Sequence, residues 1–157
     1  MLQFGKTARH YTADTTLRLA APPDVLFAFF ADPRSLELLS PPSLRLEVLP
    51  PVAATLRAGA IVDYRIRIYG VAVTGSTRIE EWAPPTRFVD VQQLRGPYLA
   101  WRHEHRFEPD GDGTRVVEHV EYRVPGGALV NALLVRPELQ RIFDYRAREL
   151  TARFGAR

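Results

Sequence analysis

Two alternating runs joined by a short turn organise the second half of the chain: Trp101 to Phe107, Pro109 to Gly113, and Thr114 to Val124. Side chains on a strand point alternately to its two faces. One face therefore carries Trp101, His103, His105 and Phe107, then Val116, Glu118, Val120, Tyr122 and Val124. The other carries Arg102, Glu104 and Arg106, then Arg115, Val117, His119, Glu121 and Arg123. Water should see the second set, so two histidines and a glutamate point inward. Burying such groups is costly unless they are paired. The pattern predicts a lined cavity on that side.

Asp110 to Gly113 is rich in turn residues between two alternating runs, the mark of a hairpin. Placing Pro109 opposite Thr114 sets Phe107 against Val116, His105 against Glu118, His103 against Val120 and Trp101 against Tyr122. On the outer face Arg102 then meets Glu121 and Glu104 meets His119, both favourable cross-strand pairs. A slip of one residue would turn the charges inward. The preceding run, Thr86 to Leu94, turns at Gly96-Pro97. With Arg95 opposite Tyr98, Gln92 lies beside Trp101, Asp90 beside His103 and Phe88 beside His105. Two acid–histidine pairs are expected, Asp90 with His103 and His105 with Glu118.

Elsewhere the pattern is plainer. Residues 1–13 show no clear period and are expected to be poorly ordered. Thr15 to Ala20 alternates as a strand. Pro22-Pro23-Asp24 opens an apolar helix through Phe30, with proline and an acid suited to its first turn. Asp32-Pro33 ends it, and Arg34 to Leu39 forms a second short helix. Strands follow at Ser43 to Leu49, Ile61 to Tyr69 and Val71 to Trp82. The last turn signal, Pro125 to Gly127, precedes a helix over Leu129 to Phe154 with an apolar stripe. Pro137 should kink or divide that helix. The expected class is α+β: two short helices after the first strand, a curved antiparallel sheet of about six to seven strands, and a long terminal helix lying across it.

Composition narrows the chemistry. The 157 residues suit one domain, 1–157, with room for a substantial core. The absence of cysteine removes disulfides, thiolate ligands and a cysteine nucleophile. No apolar run is long enough for stable membrane insertion, and the first residues lack an apolar signal core, so a cytoplasmic location is expected. The net charge of +3 comes almost wholly from arginine. Those arginines are dispersed among acids, with one local excess at Arg136, Arg141, Arg146, Arg148 and Arg153, read as a solvated helix face. No nucleic-acid partner is expected. Oligomeric state is not legible.

Several pieces together resemble the SRPBCC superfamily, the START, Bet v 1 and polyketide-cyclase group. They are Phe29 to Pro33, Leu39 to Pro42, Ile79 to Pro85, Phe88 to Gln92, Gly96 to Tyr98, Trp101 to Phe107, Gly113-Thr114, Tyr122 to Pro125 and Phe143 to Arg146. More narrowly, the chain is similar to a bacterial ligand-binding branch of that superfamily, over roughly residues 14–155. The resemblance implies a helix-grip fold with a deep cavity between sheet and terminal helix, usually for an apolar or amphipathic small molecule. Superfamily members include lipid carriers, hormone receptors, cyclases and chaperone activators, so the fold does not choose among them.

Candidate chemistry gathers on the inner face. Histidine-x-histidine on a strand beside a carboxylate can bind zinc or non-haem iron. Because each histidine has its own acid in the expected register, structural or pocket-lining pairs are favoured, and no metal or cofactor is expected. The catalytic candidates are His103, His105, Glu118 and Asp90, as acid–base groups for cyclisation, dehydration or isomerisation. The expected ligand-lining set is Phe88, Asp90, Gln92, Trp101, His103, His105, Phe107, Glu118, Tyr122 and Arg146. Tyr64 and Trp82 are further stacking candidates, with core packing the default for such aromatics. Arg146 could reach a ligand carboxylate or brace the sheet edge. Asp110 to Thr114 fails as a calcium loop, since Arg115 stands where the turn needs glycine. Serine-elbow, P-loop and dinucleotide motifs are missing, which removes the hydrolase, kinase and Rossmann readings. A carrier or sensor of a small hydrophobic or amphipathic molecule comes first. A cyclase- or dehydratase-type enzyme and a protein-interaction module with an unused cavity are the alternatives.

Overall fold

The computed structural model describes residues 1–93 and 96–157. Strands β1 (Gln3–Lys6) and β2 (Tyr11–Leu19) precede helices α1 (Pro23–Phe30) and α2 (Ser35–Leu38) and a 3-10 turn at Pro42–Leu44. Strands β3 (Glu47–Val48), β4 (Ile61–Ile68), β5 (Val71–Ala83), β6 (Arg87–Gln92), β7 (Ala100–Asp110) and β8 (Gly113–Arg123) follow. All eight form one antiparallel sheet in the order β1-β2-β8-β7-β6-β5-β4-β3. A helical run closes the chain: α3 (Gly127–Val130), a π-helical turn (Asn131–Val135) and α4 (Arg136–Phe154). The fold is the α+β helix grip, a curved sheet around a long terminal helix.

The strand beyond the expected six to seven is β1. It lies within residues 1–13, expected to be poorly ordered but paired here residue by residue with β2. Four residues are too few to show a period. What holds them is tertiary: Leu2 and Phe4 join an apolar cluster with Ala13, Val120 and Tyr122.

The hairpin has the expected register, from Asp110 opposite Gly113 through His105 opposite Glu118 to Trp101 opposite Tyr122. Strand β6 places Phe88 beside His105 and Asp90 beside His103. The expected pairing of Arg95 with Tyr98 falls outside the described residues. Near that turn the Gln92 amide donates to the Tyr98 carbonyl at 2.7 Å and accepts from the Tyr98 N–H at 3.2 Å. On the outer face Arg102 stands opposite Glu121 and Glu104 opposite His119, as expected, but their closest ionic contacts lie elsewhere. Arg102 reaches across to Glu80 and Glu81, Glu104 is held by Arg87, and His119 pairs with Asp14. A bulge in β5 between Ile79 and Glu81 supplies the partners of Arg102, while Arg87 of β6 and Asp14 of β2 supply those of the other two.

Pro137 divides the last helix without breaking it. It sits in the first turn of α4, directly after the π turn. Its ring would crowd the carbonyl four residues back, and the wider π turn accommodates that. Two apolar clusters fill the interior. One gathers Leu26, Phe27 and Phe30 of α1 with Phe88, Phe107 and Leu150, and the other gathers Tyr122, Leu139 and Phe143. Between them runs a polar layer.

Candidate functional site: a buried acid–histidine layer at the end of an apolar cavity

A cavity of about 200 Å³ lies between the sheet and α4. Its walls are mainly apolar: Leu36 and Leu39 beside α2, Val62, Tyr64 and Ile66 of β4, and Leu139, Ile142 and Phe143 of α4. Gly75 stands opposite Tyr64 on β5, and a Cβ there would overlap the Tyr64 ring. That glycine lets the ring lie against the sheet and keeps the space open.

Asp90, His103, His105 and Arg146 form much of the polar part of the wall. Behind the two histidines lies Glu118. His103, His105, Glu118 and Arg146 are 4%, 5%, 4% and 7% exposed, so their charges are resolved among themselves. The pairing is diagonal to the expected one. His105 Nε2 lies 3.1 Å from Asp90 Oδ2, and His103 Nε2 lies 2.9 Å from Glu118 Oε2. The remaining nitrogens complete a square: His105 Nδ1 is 3.4 Å from Glu118 Oε2 and His103 Nδ1 is 3.9 Å from Asp90 Oδ2. Each histidine thus stands between both acids, since side chains lean along their strands and opposite Cα positions do not fix which heads meet. Arg146 Nη1 donates to Glu118 Oε2. Thr77 Oγ1 donates to Asp90 Oδ1 at 3.1 Å.

Burial would raise the Asp90 carboxyl, but its hydrogen bond with His105 and the nearby imidazoles hold it below its ordinary value. Burial acts the same way on Glu118, yet Arg146 and the histidines carry it well below the usual carboxylate range. Burial pushes His105 down to about 4, with His103 adding to the effect. At neutral pH the layer holds two carboxylates, a guanidinium and a neutral His105. Tyr64, half-buried on the wall, is pushed up to about 12 by its partial loss of water and by Asp90, and keeps its proton.

Of the expected lining set, Phe88, Asp90, Gln92, Trp101, His103, His105 and Arg146 reach the cavity. Three do not. Phe107 is packed edge-on between Phe27 and Phe30. Glu118 is screened by the histidines. Tyr122 donates its hydroxyl to the buried Asn131 at 3.0 Å, facing the far cluster. Gln92 lines the wall but spends its amide on the Tyr98 backbone. Trp82 packs against Phe27 at 4.8 Å between ring centroids, outside the cavity, whereas Tyr64 lines it. Arg146 neither braces an edge nor stands free, because Glu118 claims it.

The residues not anticipated as lining include Leu36 and Leu39 at α2, Val62 and Ile66 of β4, Tyr98, Thr77 and the Leu139–Ile142–Phe143 face of α4. One signal was in the sequence: α4 buries Leu139, Phe143, Arg146 and Leu150, spaced by four, three and four. Arg146 occupies an apolar-stripe position, which marks it as inward. Nothing local marked α2.

Among the described residues no helix is long and apolar enough to cross a membrane. No curated protein sequence matches the chain significantly. Solved structures do. Protein Ms6760 from Mycobacterium smegmatis superposes with a TM-score of 0.72 at 20% identity, over 97% of this chain and 94% of that one. Mll3558 from Rhizobium loti gives 0.68 at 22% identity, over 92% and 100%. CalU16 from Micromonospora echinospora gives 0.58 at 16% identity, over 98% and 87%. At these identities the likeness is one of fold. The sequence over residues 10–155 matches the profile of polyketide cyclase / dehydrase and lipid transport proteins, and the chain belongs to that family within the SRPBCC superfamily.

Proposed function

We propose that this protein binds a small amphipathic molecule in the cavity between sheet and α4, as a carrier or sensor. The supporting observation is the asymmetry of the wall, apolar over most of its area and ionic where Asp90, His103 and His105 meet it. Apolar walls hold a ligand's body, and a few convergent polar groups orient its other end. A volume of about 200 Å³ is below the roughly 300–1,000 Å³ typical of sites for drug-sized ligands, which favours a compact molecule. The family's description names both cyclase/dehydrase and lipid-transport members. That supports an apolar or amphipathic ligand and leaves the reaction open.

Anilinonaphthalene sulfonate, a compact ring system with one anionic group, tests the reading. It should bind with one-to-one stoichiometry and lose affinity by about tenfold or more, roughly 1.4 kcal/mol, in Ile142→Trp, which fills the cavity from α4. Equal binding by both proteins, with both folded, would contradict the proposal.

A second reading has one observation in its favour. His105 and Asp90, hydrogen-bonded on the wall, form an acid–base couple facing the space a substrate would fill. Under that reading His105→Asn retains binding and loses turnover.

A further inference from the structure

We propose that Asp90, His103 and His105 form a three-ligand site for one divalent first-row transition-metal ion. Its free coordination positions open into the cavity and take the oxygen-bearing end of the ligand. This deepens the reading above by naming what the ligand's polar end meets, while the ion's own binding does not depend on that reading.

The geometry points the same way from both sides of the histidines. On the cavity side, one ligating atom from each of the three residues lies within 4.8 Å of the others. Asp90 Oδ2 is 3.1 Å from His105 Nε2 and 3.9 Å from His103 Nδ1. Metal–ligand bonds of about 2.0–2.2 Å place neighbouring ligand atoms about 3.0 Å apart in an octahedron and about 3.4 Å apart in a tetrahedron. The 3.1 Å separation falls between those two values, and the 3.9 Å one is wider than the tetrahedral value by about half an ångström, a gap that a small turn of the His103 ring would close. Without an ion, His103 Nδ1 is too far from Asp90 for a hydrogen bond. An ion between the three would engage all of them.

On the far side, His103 Nε2 and His105 Nδ1 are buried without a hydrogen-bond partner of good geometry, and both face the same Glu118 oxygen at 2.9 and 3.4 Å. A metal-bound imidazole ordinarily turns its other N–H to a carboxylate, which fixes the ring and raises its basicity. Glu118 Oε2 lies within reach of both rings, so a small turn of either ring on metal binding would give that ring this partner, and Arg146 offsets its charge. Thr77 holds Asp90 Oδ1, leaving Oδ2 for the ion. Phe88 stacks on His105 at 4.2 Å and further restricts that ring.

The donor set selects the class of ion. Two imidazoles and one carboxylate, in a chain without cysteine, suit zinc, ferrous iron, cobalt or nickel better than calcium or cuprous copper. Three protein ligands beside a cavity make an open site, unlike the closed four-ligand structural kind. With neutral imidazoles, the ion and Arg146 together exceed the two carboxylates by one positive charge, which suits an anionic, enol or carbonyl oxygen.

Cobalt(II) titration of the tag-free, chelator-treated protein, followed by visible absorption, tests the site. The expected result is one ion per chain with micromolar or tighter affinity. Asp90→Asn should weaken it by at least about 100-fold, since even outer-shell changes cost about 10–100-fold. His119→Ala, which removes a surface histidine paired with Asp14 and Glu121, should leave it unchanged. Absence of a cobalt spectrum up to millimolar ion, or loss in His119→Ala in place of Asp90→Asn, would overturn the site. If Asp90→Asn does not fold, the histidine-ring nitrogen NMR of the wild type decides: zinc should move two ring systems and leave those of His10 and His119 in place. Movement of His10 or His119 alone would overturn it. Anilinonaphthalene sulfonate titrated in parallel separates the failures, because probe binding without cobalt binding removes the metal site and spares the cavity.

Discussion

Each face of the β7–β8 hairpin sets a carboxylate against a guanidinium, from β8 outside and from α4 inside, with opposite consequences. Outside, Arg115 pairs with Glu108 across the strands at 2.6 Å, both side chains substantially exposed. Inside, Glu118 and Arg146 form the same acid–guanidinium contact almost wholly out of water. Exposed pairs of this type contribute about 0–1 kcal/mol, because water and salt screen them and two long side chains must be ordered. A buried pair is different. It gains little net stability against an apolar replacement, but removing one partner leaves a charge with nowhere to go. An inner ionic layer between two apolar clusters is therefore expensive to keep.

Removing one inner partner should show the contrast most sharply. Arg146→Met strands the Glu118 carboxylate and should destabilise the fold by about 3–5 kcal/mol in urea denaturation. The double change Glu118→Leu with Arg146→Met should recover most of that loss. If the double variant is as unstable as the single one, the layer is held by packing and the electrostatic contrast fails. Gly75→Ala comes next. The added methyl would overlap the Tyr64 ring, which should shift toward the cavity it lines, and anilinonaphthalene sulfonate affinity should fall by about tenfold, roughly 1.4 kcal/mol. Unchanged affinity would mean that the ring yields in another direction. The smallest effect belongs outside: Arg115→Ala should cost less than about 1 kcal/mol and lose even that at high salt. A larger cost would erase the distinction between the faces.

The sequence carried the hairpin register and the inward set because alternation, turn residues and charge placement all constrain the same pairing. It carried less where heads meet. Opposite Cα positions suggested Asp90 with His103 and His105 with Glu118, whereas the closer contacts run diagonally. Strand alternation says which side a head lies on and leaves its lean along the strand open. The outer residues stand opposite one another as expected, but Arg102 finds its ionic partners in Glu80 and Glu81 at the β5 bulge, which strict alternation does not foresee. Tyr122 and Phe107 were assigned to the correct face and the wrong end of it, because distance along a strand from the cavity depends on where α4 crosses. Leu36 and Leu39 reach the cavity through tertiary placement alone. The Arg146 position within the buried stripe of α4 was legible by period.

The central claim is that the inner layer forms the polar end of a cavity that holds a small amphipathic molecule. Native mass spectrometry of the protein after incubation with a bacterial metabolite and lipid extract tests it most directly. The account predicts one organic molecule per chain on the wild type and none on Ile142→Trp. The bare chain mass for both, or the same adduct on both, would contradict it.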